Sequence, residues 1–205
     1  MGAGGVLFGT TSVGGNTGQG TVYALSPPAS GATAWSEAVL YGFNGGDDGA
    51  FPQYVDLAAD ADGALYGTTI AGGAANLGSV FKLVPPASGK TVWTERLLHR
   101  FKGTGDGANP NTGVVLDAQG ALYGTTTTGG AANLGVAYKL AQLAGELGST
   151  ETVLHGFAGG ADGATPWAGV TLAAGGAVFG TTMLGGGGCP NQSADGCGTV
   201  FEITP

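Results

Sequence analysis

Three loops repeat one acidic pattern: Asp47-Asp48-Gly49-Ala50-Phe51-Pro52, Gly105-Asp106-Gly107-Ala108-Asn109-Pro110 and Ala161-Asp162-Gly163-Ala164-Thr165-Pro166. A carboxylate beside glycine can offer side-chain and carbonyl oxygens to a hard cation such as Ca²⁺, which takes six to eight of them. One carboxylate per loop, at Asp48, Asp106 and Asp162, is too few for a dedicated cage. Asp-Gly is also commonest as a turn in which the aspartate bonds its own backbone. The turn reading is preferred, calcium is the weak alternative, and no other metal or cofactor is expected.

The two histidines, His99 and His155, stand where the first copy has Tyr41, in LLHRF, VLHGF and VLYGF. A position that accepts Tyr is expected to be a strand surface or packing site rather than a general base. Glu37, Glu95 and Glu151 recur four residues earlier. They read as solvated strand residues, because no unique second carboxylate accompanies any of them for acid and base work. The chain has no GxSxG, no HExxH, no P-loop and no GxGxxG between a strand and a helix. No catalytic residue is expected.

Binding chemistry has better candidates. Asn76 and Asn133 sit in GGAANLG loops, with Asn16 displaced in the first copy. Repeated polar loops beside aromatics suit a sugar, which stacks on a ring and takes hydrogen bonds from amides. The preferred alternative is a turn, since Asn tolerates the left-handed region. Trp35 and Trp93 each follow a Pro-Pro-Ala-Ser-Gly turn, while the third copy has no Trp there. They are expected to be partly exposed rim residues open to a partner protein. Cys189 and Cys197 lie in one Gly-rich loop. A disulfide between them is preferred over two unrelated thiols; it would contribute about 2.5 kcal/mol and indicate an oxidising compartment. Asn191-Gln192-Ser193 matches a glycosylation sequon, a short pattern that arises often by chance.

The elements that must hold these residues come in four copies. The stretch ALYGTTTTGGAANLGVAYKL (Ala121 to Leu140) has counterparts beginning at Val6, Ala64 and Ala177. The aromatic before each Gly-Thr-Thr is Phe8, Tyr66, Tyr123 and Phe179, giving steps of 58, 57 and 56 residues. So regular a step predicts a repeat architecture, with residues 1–205 as one repeat domain whose units begin near 6, 64, 121 and 177 and whose last unit is incomplete. Each unit holds four runs rich in β-branched and aromatic residues, bounded by Gly, Pro, Asn or Asp, as strands should be. In the second unit these are Ala64 to Ile70, Ser79 to Val84, Trp93 to Phe101 and Thr112 to Asp117. Asp60-Ala61-Asp62-Gly63 and Ala118-Gln119-Gly120 suit tight antiparallel hairpins. Helical periodicity is absent and Gly falls every few residues, so helix content should be close to nil.

Four antiparallel strands per repeat predict an all-β fold, a β-propeller-type array of about 3.5 to 4 blades. With the GVVLD run innermost, the chain supplies three strands, two full blades of four and three more. That leaves a closed four-bladed ring two strands short. Exposed edges predict oligomerisation, truncation or membership of a larger assembly. The Gly-Thr-Thr strand is expected to be covered on both faces, its glycine allowing close approach between sheets.

The pattern LYGTTxxGGxxNxGxVFKL, then ETVLxxF, then DGAxPxxGVxLDxxG, resembles the GloVer tandem repeats of bacterial choice-of-anchor proteins. The resemblance covers essentially the whole chain. It implies a secreted or surface-displayed repeat array attached through a sorting signal, and it brings no catalytic residue with it. No anchor segment is present, which suggests a fragment or a member held by its partners; the opening MGAGGV lacks a signal peptide and a myristoylation motif, so, if exported, the chain is expected to be a mature or excised fragment.

Composition narrows the partners. Gly is 44 of 205 residues, but without a Gly-X-Y period and with an ordinary apolar fraction, so collagen and simple disorder are both poor readings. A net charge of −8 with only six Lys and Arg argues against nucleic acid. No window of 18 apolar residues exists to span a membrane as a helix. The expectation is a non-catalytic extracellular or cell-surface module, structural or adhesive, whose partners are protein chains or surface glycans. A sugar-binding propeller, an accessory subunit and, last, a hydrolase with a central-channel site are the alternatives.

Overall fold

The computed structural model describes residues 3–143, 148–187 and 196–204. Among them the chain is all-β, with three 3₁₀ turns of three residues each as its only helical elements. The first sheet holds β1 (Leu7–Thr11), β2 (Thr21–Ser26) and β3 (Ser36–Gly42); the second holds β4 (Ala58–Ala59), β5 (Leu65–Thr69), β6 (Ser79–Val84) and β7 (Thr94–Arg100). The third holds β8 (Val115–Leu116), β9 (Leu122–Thr126), β10 (Val136–Gln142) and β11 (Ser149–Gly156). The fourth holds β12 (Thr171–Leu172), β13 (Val178–Thr181) and β14 (Val200–Ile203). Neighbours in each sheet follow chain order and pair antiparallel, in the expected sequence of three, four, four and three. No helix among the described residues is long and apolar enough to cross a membrane.

The hairpin turns form as their residues dictate. Asp60 Oδ1 accepts the N–H groups of Asp62 and Ala64, and Asp117 Oδ1 those of Gln119 and Ala121, at 2.8 to 3.0 Å. The first strand of each full sheet is shorter than the Thr112 to Asp117 run predicts: β8 is two residues long. The physical reason is that its approach segment bonds to the preceding sheet. The Thr112 carbonyl accepts the Thr68 hydroxyl at 2.7 Å, and a methyl on Gly113 would lie 1.9 Å from the Asp56 carbonyl oxygen.

The cores lie between consecutive sheets. Val22 and Phe43 of the first repeat pack on Leu65, Phe81 and Leu83 of the second. Tyr66, Leu98 and Phe101 pack on Leu122, Val136 and Tyr138, and Ala121 and Tyr123 pack on Val170 and Val178. Consequently β5 and β9 are buried at every position, whereas β1 and β13 are only partly covered. Both faces of the Gly-Thr-Thr strand are therefore covered in the second and third repeats, as expected.

The glycine has a different reason from the expected one. It lies opposite an aromatic of its own sheet: Gly67 pairs with Phe81, Gly124 with Tyr138 and Gly180 with Phe201. A methyl on Gly67 would lie 2.7 Å from the Phe81 ring, and one on Gly124 2.5 Å from the Tyr138 hydroxyl. The missing side chain lets the ring lie across the partner strand, a fit also used to rescue glycine in designed sheets. From there each ring meets the buried phenylalanine ending the preceding repeat, edge to face: Phe43 to Phe81, Phe101 to Tyr138 and Phe157 to Phe201, at 5.1 to 5.2 Å. Such pairs add about 0.5 to 1.5 kcal/mol beyond area burial.

The substitution Gly67→Ala should cost about 1 to 3 kcal/mol by overpacking. Urea denaturation reads the loss, and adding Phe81→Leu should recover part of it; additive losses would argue against the ring-over-glycine fit.

Candidate functional site

The recurrent Asp, Glu, Tyr and His residues converge at the seams between repeats. A β-bulge produces this arrangement. In each outer strand the register shifts by one residue, leaving Leu40, Leu98 and Leu154 unpaired between the flanking pairs. Residues four apart on a regular strand share a face; one extra residue turns the second to the other face. Glu95 thus faces Asp48 and Tyr41 of the preceding repeat, while His99 faces Glu151 of the following one.

At the first seam the Tyr41 hydroxyl donates to Asp48 Oδ1, and Asp48 Oδ2 accepts the Asn44 backbone N–H at 2.6 Å and its amide at 2.9 Å. Burial raises the Tyr41 pKa well above the ordinary phenol value, aided by the hydrogen bond to Asp48. Glu95 Oε1 is buried without a hydrogen-bond partner. Burial, followed by repulsion from Asp48, pushes the Glu95 carboxyl up to about 7, against the pull of Arg100.

At the second seam His99 Nε2 stands 3.2 Å from Asp106 Oδ2 and 3.7 Å from Glu151 Oε2. Asp106 Oδ1 accepts the N–H groups of Lys102 and Gly103 at 2.9 and 3.0 Å. Burial lowers the His99 pKa below its ordinary value, opposed by Asp106. Burial and then Asp106 raise Glu151 to about 7. At the third seam His155 Nε2 lies 2.8 Å from Asp162, whose other oxygen accepts the Ala158 N–H at 2.7 Å. Glu95 and Glu151 are therefore not the solvated strand residues expected. Glu37, in the first sheet, does remain exposed.

The Asp-Gly loops thus direct Asp48, Asp106 and Asp162 onto their own turns and a neighbouring ring. Asn76 and Asn133 adopt positive φ, 55° and 56°, and their Oδ1 atoms accept the N–H of Gly72 and Gly129 at 2.9 Å. That is the turn alternative, although both residues are exposed. Trp35 is 49 % exposed. Trp93 is partly buried and lies edge-on to Phe8 across the first seam at 6.5 Å, so it is a packing residue as well. The pairing of Cys189 with Cys197 lies outside the described residues, because residue 189 is not among them.

Two features escaped the residue patterns. Tyr54, 76 % exposed and at φ 50°, and Trp167, 49 % exposed, line a cleft of about 290 Å³ with Asp56 and Thr112. The stretch between Pro52 and β4 that carries Tyr54 is one residue longer than in the other copies, which alignment of the Pro positions would have flagged. A larger cleft of about 640 Å³ lies between the third and fourth sheets, with Asp117, Tyr123 and Lys139 on one wall and Leu172 and Ile203 on the other. There Tyr123 donates to Asp117 at 3.1 Å and Lys139 lies 5.1 Å from the Tyr123 ring centre.

Fold and seams together define an all-β tandem-repeat protein whose units are joined side to side. Residues 1–189 match the Gloeobacter/Verrucomicrobia repeat, and the chain belongs to that repeat family. None of the curated proteins compared with it matches.

The carboxyl of Glu95 rises on folding from 4.5 to about 7. A raised acid binds its proton more tightly when folded, so its contribution is most favourable below pH 4.5. It is lost as pH rises to 7 and is flat above. The stability of the natural chain minus that of Glu95→Gln should therefore fall between pH 4.5 and 7 and then level off. Denaturation at a series of pH values measures it, and parallel curves would refute the assignment.

Proposed function

We propose that the chain is a non-catalytic repeat module acting outside the cytoplasm, with a structural or adhesive role. The observation that carries this reading is that the side chains able to do acid and base chemistry recur once per repeat and are engaged in turns and seams. A catalytic site asks instead for a unique constellation around a substrate space. The resemblance to choice-of-anchor proteins and a proposed Cys189–Cys197 disulfide both favour an oxidising, extracytoplasmic setting. The sheets are proposed to stand as blades of a β-propeller-type array, which accounts for the chain-ordered strands and for cores lying between successive sheets. Partial coverage of the first and fourth sheets favours contact with further chains.

In the natural host, with its natural flanking sequence, the protein should be degraded by protease added outside intact cells. Protection until the cells are lysed, or robust turnover in a broad hydrolase screen, would overturn the proposal.

A second reading, glycan binding, is favoured by the cleft between Tyr54 and Trp167. Exposed rings beside Asp56 offer the stacking face and hydrogen-bond acceptor that a pyranose uses. Tyr54 also holds a backbone conformation that a bulky residue rarely adopts, a form of strain that clusters at ligand sites. On a glycan array, binding abolished by Trp167→Ala would place the sugar in this cleft. Binding abolished by Asn133→Ala would place it on the GGAANLG loops, and an array without signal would remove the reading.

A further inference from the structure

The second seam differs from its neighbours in the kind of donor it presents. His99 comes from β7, Asp106 from the loop after β7, and Glu151 from β11 of the next repeat. One ligand atom from each lies within 4.8 Å of the others. The side chains are 12 to 13 % exposed. Asp106 Oδ1 accepts two backbone N–H groups, which fixes the carboxylate and leaves Oδ2 directed at the histidine. Independently, Glu151 Oε1 is buried and without a hydrogen-bond partner; Glu95 Oε1 at the first seam is too, but the ring beside it is Tyr41 and not an imidazole. A buried, half-satisfied carboxylate is costly unless something positive meets it.

We propose that His99 Nε2, Asp106 Oδ2 and Glu151 bind a divalent first-row transition cation, with Zn²⁺ as the best fit, across the seam between the second and third repeats. Donors held at about 2.0 to 2.2 Å around tetrahedral zinc stand roughly 3.3 to 3.6 Å apart. The observed 3.2 and 3.7 Å separations bracket that span. One imidazole and two carboxylates also suit a borderline cation better than Ca²⁺, which prefers an all-oxygen shell. The cation would cancel both carboxylate charges and clamp β7 to β11, leaving a fourth position for water.

The other seams serve as internal controls. At the first, Tyr41 replaces the histidine and donates its hydroxyl to Asp48, so no nitrogen donor is present. At the third, His155 and Asp162 form a pair without a third ligand among the described residues.

The full chain, stripped with EDTA and titrated with ZnCl₂ in non-reducing buffer, should bind one equivalent by calorimetry. Its melting temperature should rise with free Zn²⁺ because only the folded chain holds the site. His99→Tyr copies the natural composition of the first seam, so it should fold and melt near the metal-free parent. It should lose more than about tenfold in affinity, the least expected where even supporting groups matter that much. Glu151→Gln should do the same, and His155→Tyr should leave binding unchanged. Zinc taken up equally by the parent and by either His99→Tyr or Glu151→Gln overturns the proposal, as does a parent chain that takes up none.

Discussion

The structure depends on one contact made three times: a buried phenylalanine at the end of each outer strand, set edge to face against an aromatic in the next repeat. Phe43, Phe101 and Phe157 are each at most 1 % exposed, and each donates its backbone N–H to a glycine carbonyl of its own repeat, those of Gly20, Gly78 and Gly135. The receiving ring lies flat because a glycine stands beneath it. Tandem arrays owe their stability to such nearest-neighbour interfaces, since a small unit alone cannot bury its apolar face. The two Gly-Thr-Thr threonines share the work: Thr69 bonds Ser79 across its own hairpin, while Thr68 bonds the segment that enters the next sheet.

Backbone groups reinforce the same seams. Phe51, Asn109 and Thr165, each before a proline, adopt positive φ of 53° to 56°. Each donates its N–H to a carbonyl in the hairpin loop of the preceding sheet, Gln19, Leu77 or Leu134, and accepts an N–H from the end of the following Gly-Thr-Thr strand or just beyond it. The conformation is unfavourable for Phe and for a β-branched Thr. It persists because both polar groups of the residue find partners on opposite sides of a seam.

Much of this was legible in the chain. The step of 58, 57 and 56 residues, the hairpins at Asp60 and Asp117 and the strand count all follow from local rules of turn and strand chemistry. The bulge was not legible, because Leu40, Leu98 and Leu154 look like ordinary members of an apolar run. On an unbulged strand Glu95 and His99, four residues apart, would share a face, so the approach of His99 to Glu151, 52 residues away, is not readable from the pattern. Burial of Glu95 also depends on a neighbouring sheet, which strand periodicity cannot report. Trp93 illustrates the same limit: the turn before it predicts a rim position, yet its ring settles against Phe8 of another repeat.

The bulge also bears on how such an array can grow. Because it turns the glutamate backward and the tyrosine or histidine forward, each unit carries both halves of the joint, like a tile with a tab on one side and a slot on the other. A duplicated unit therefore arrives already compatible with its parent, and the array can lengthen without new interfaces having to be invented. Chemistry at one joint can then drift, from tyrosine at the first to histidine at the second, while the phenylalanine contact beside it keeps the two units together.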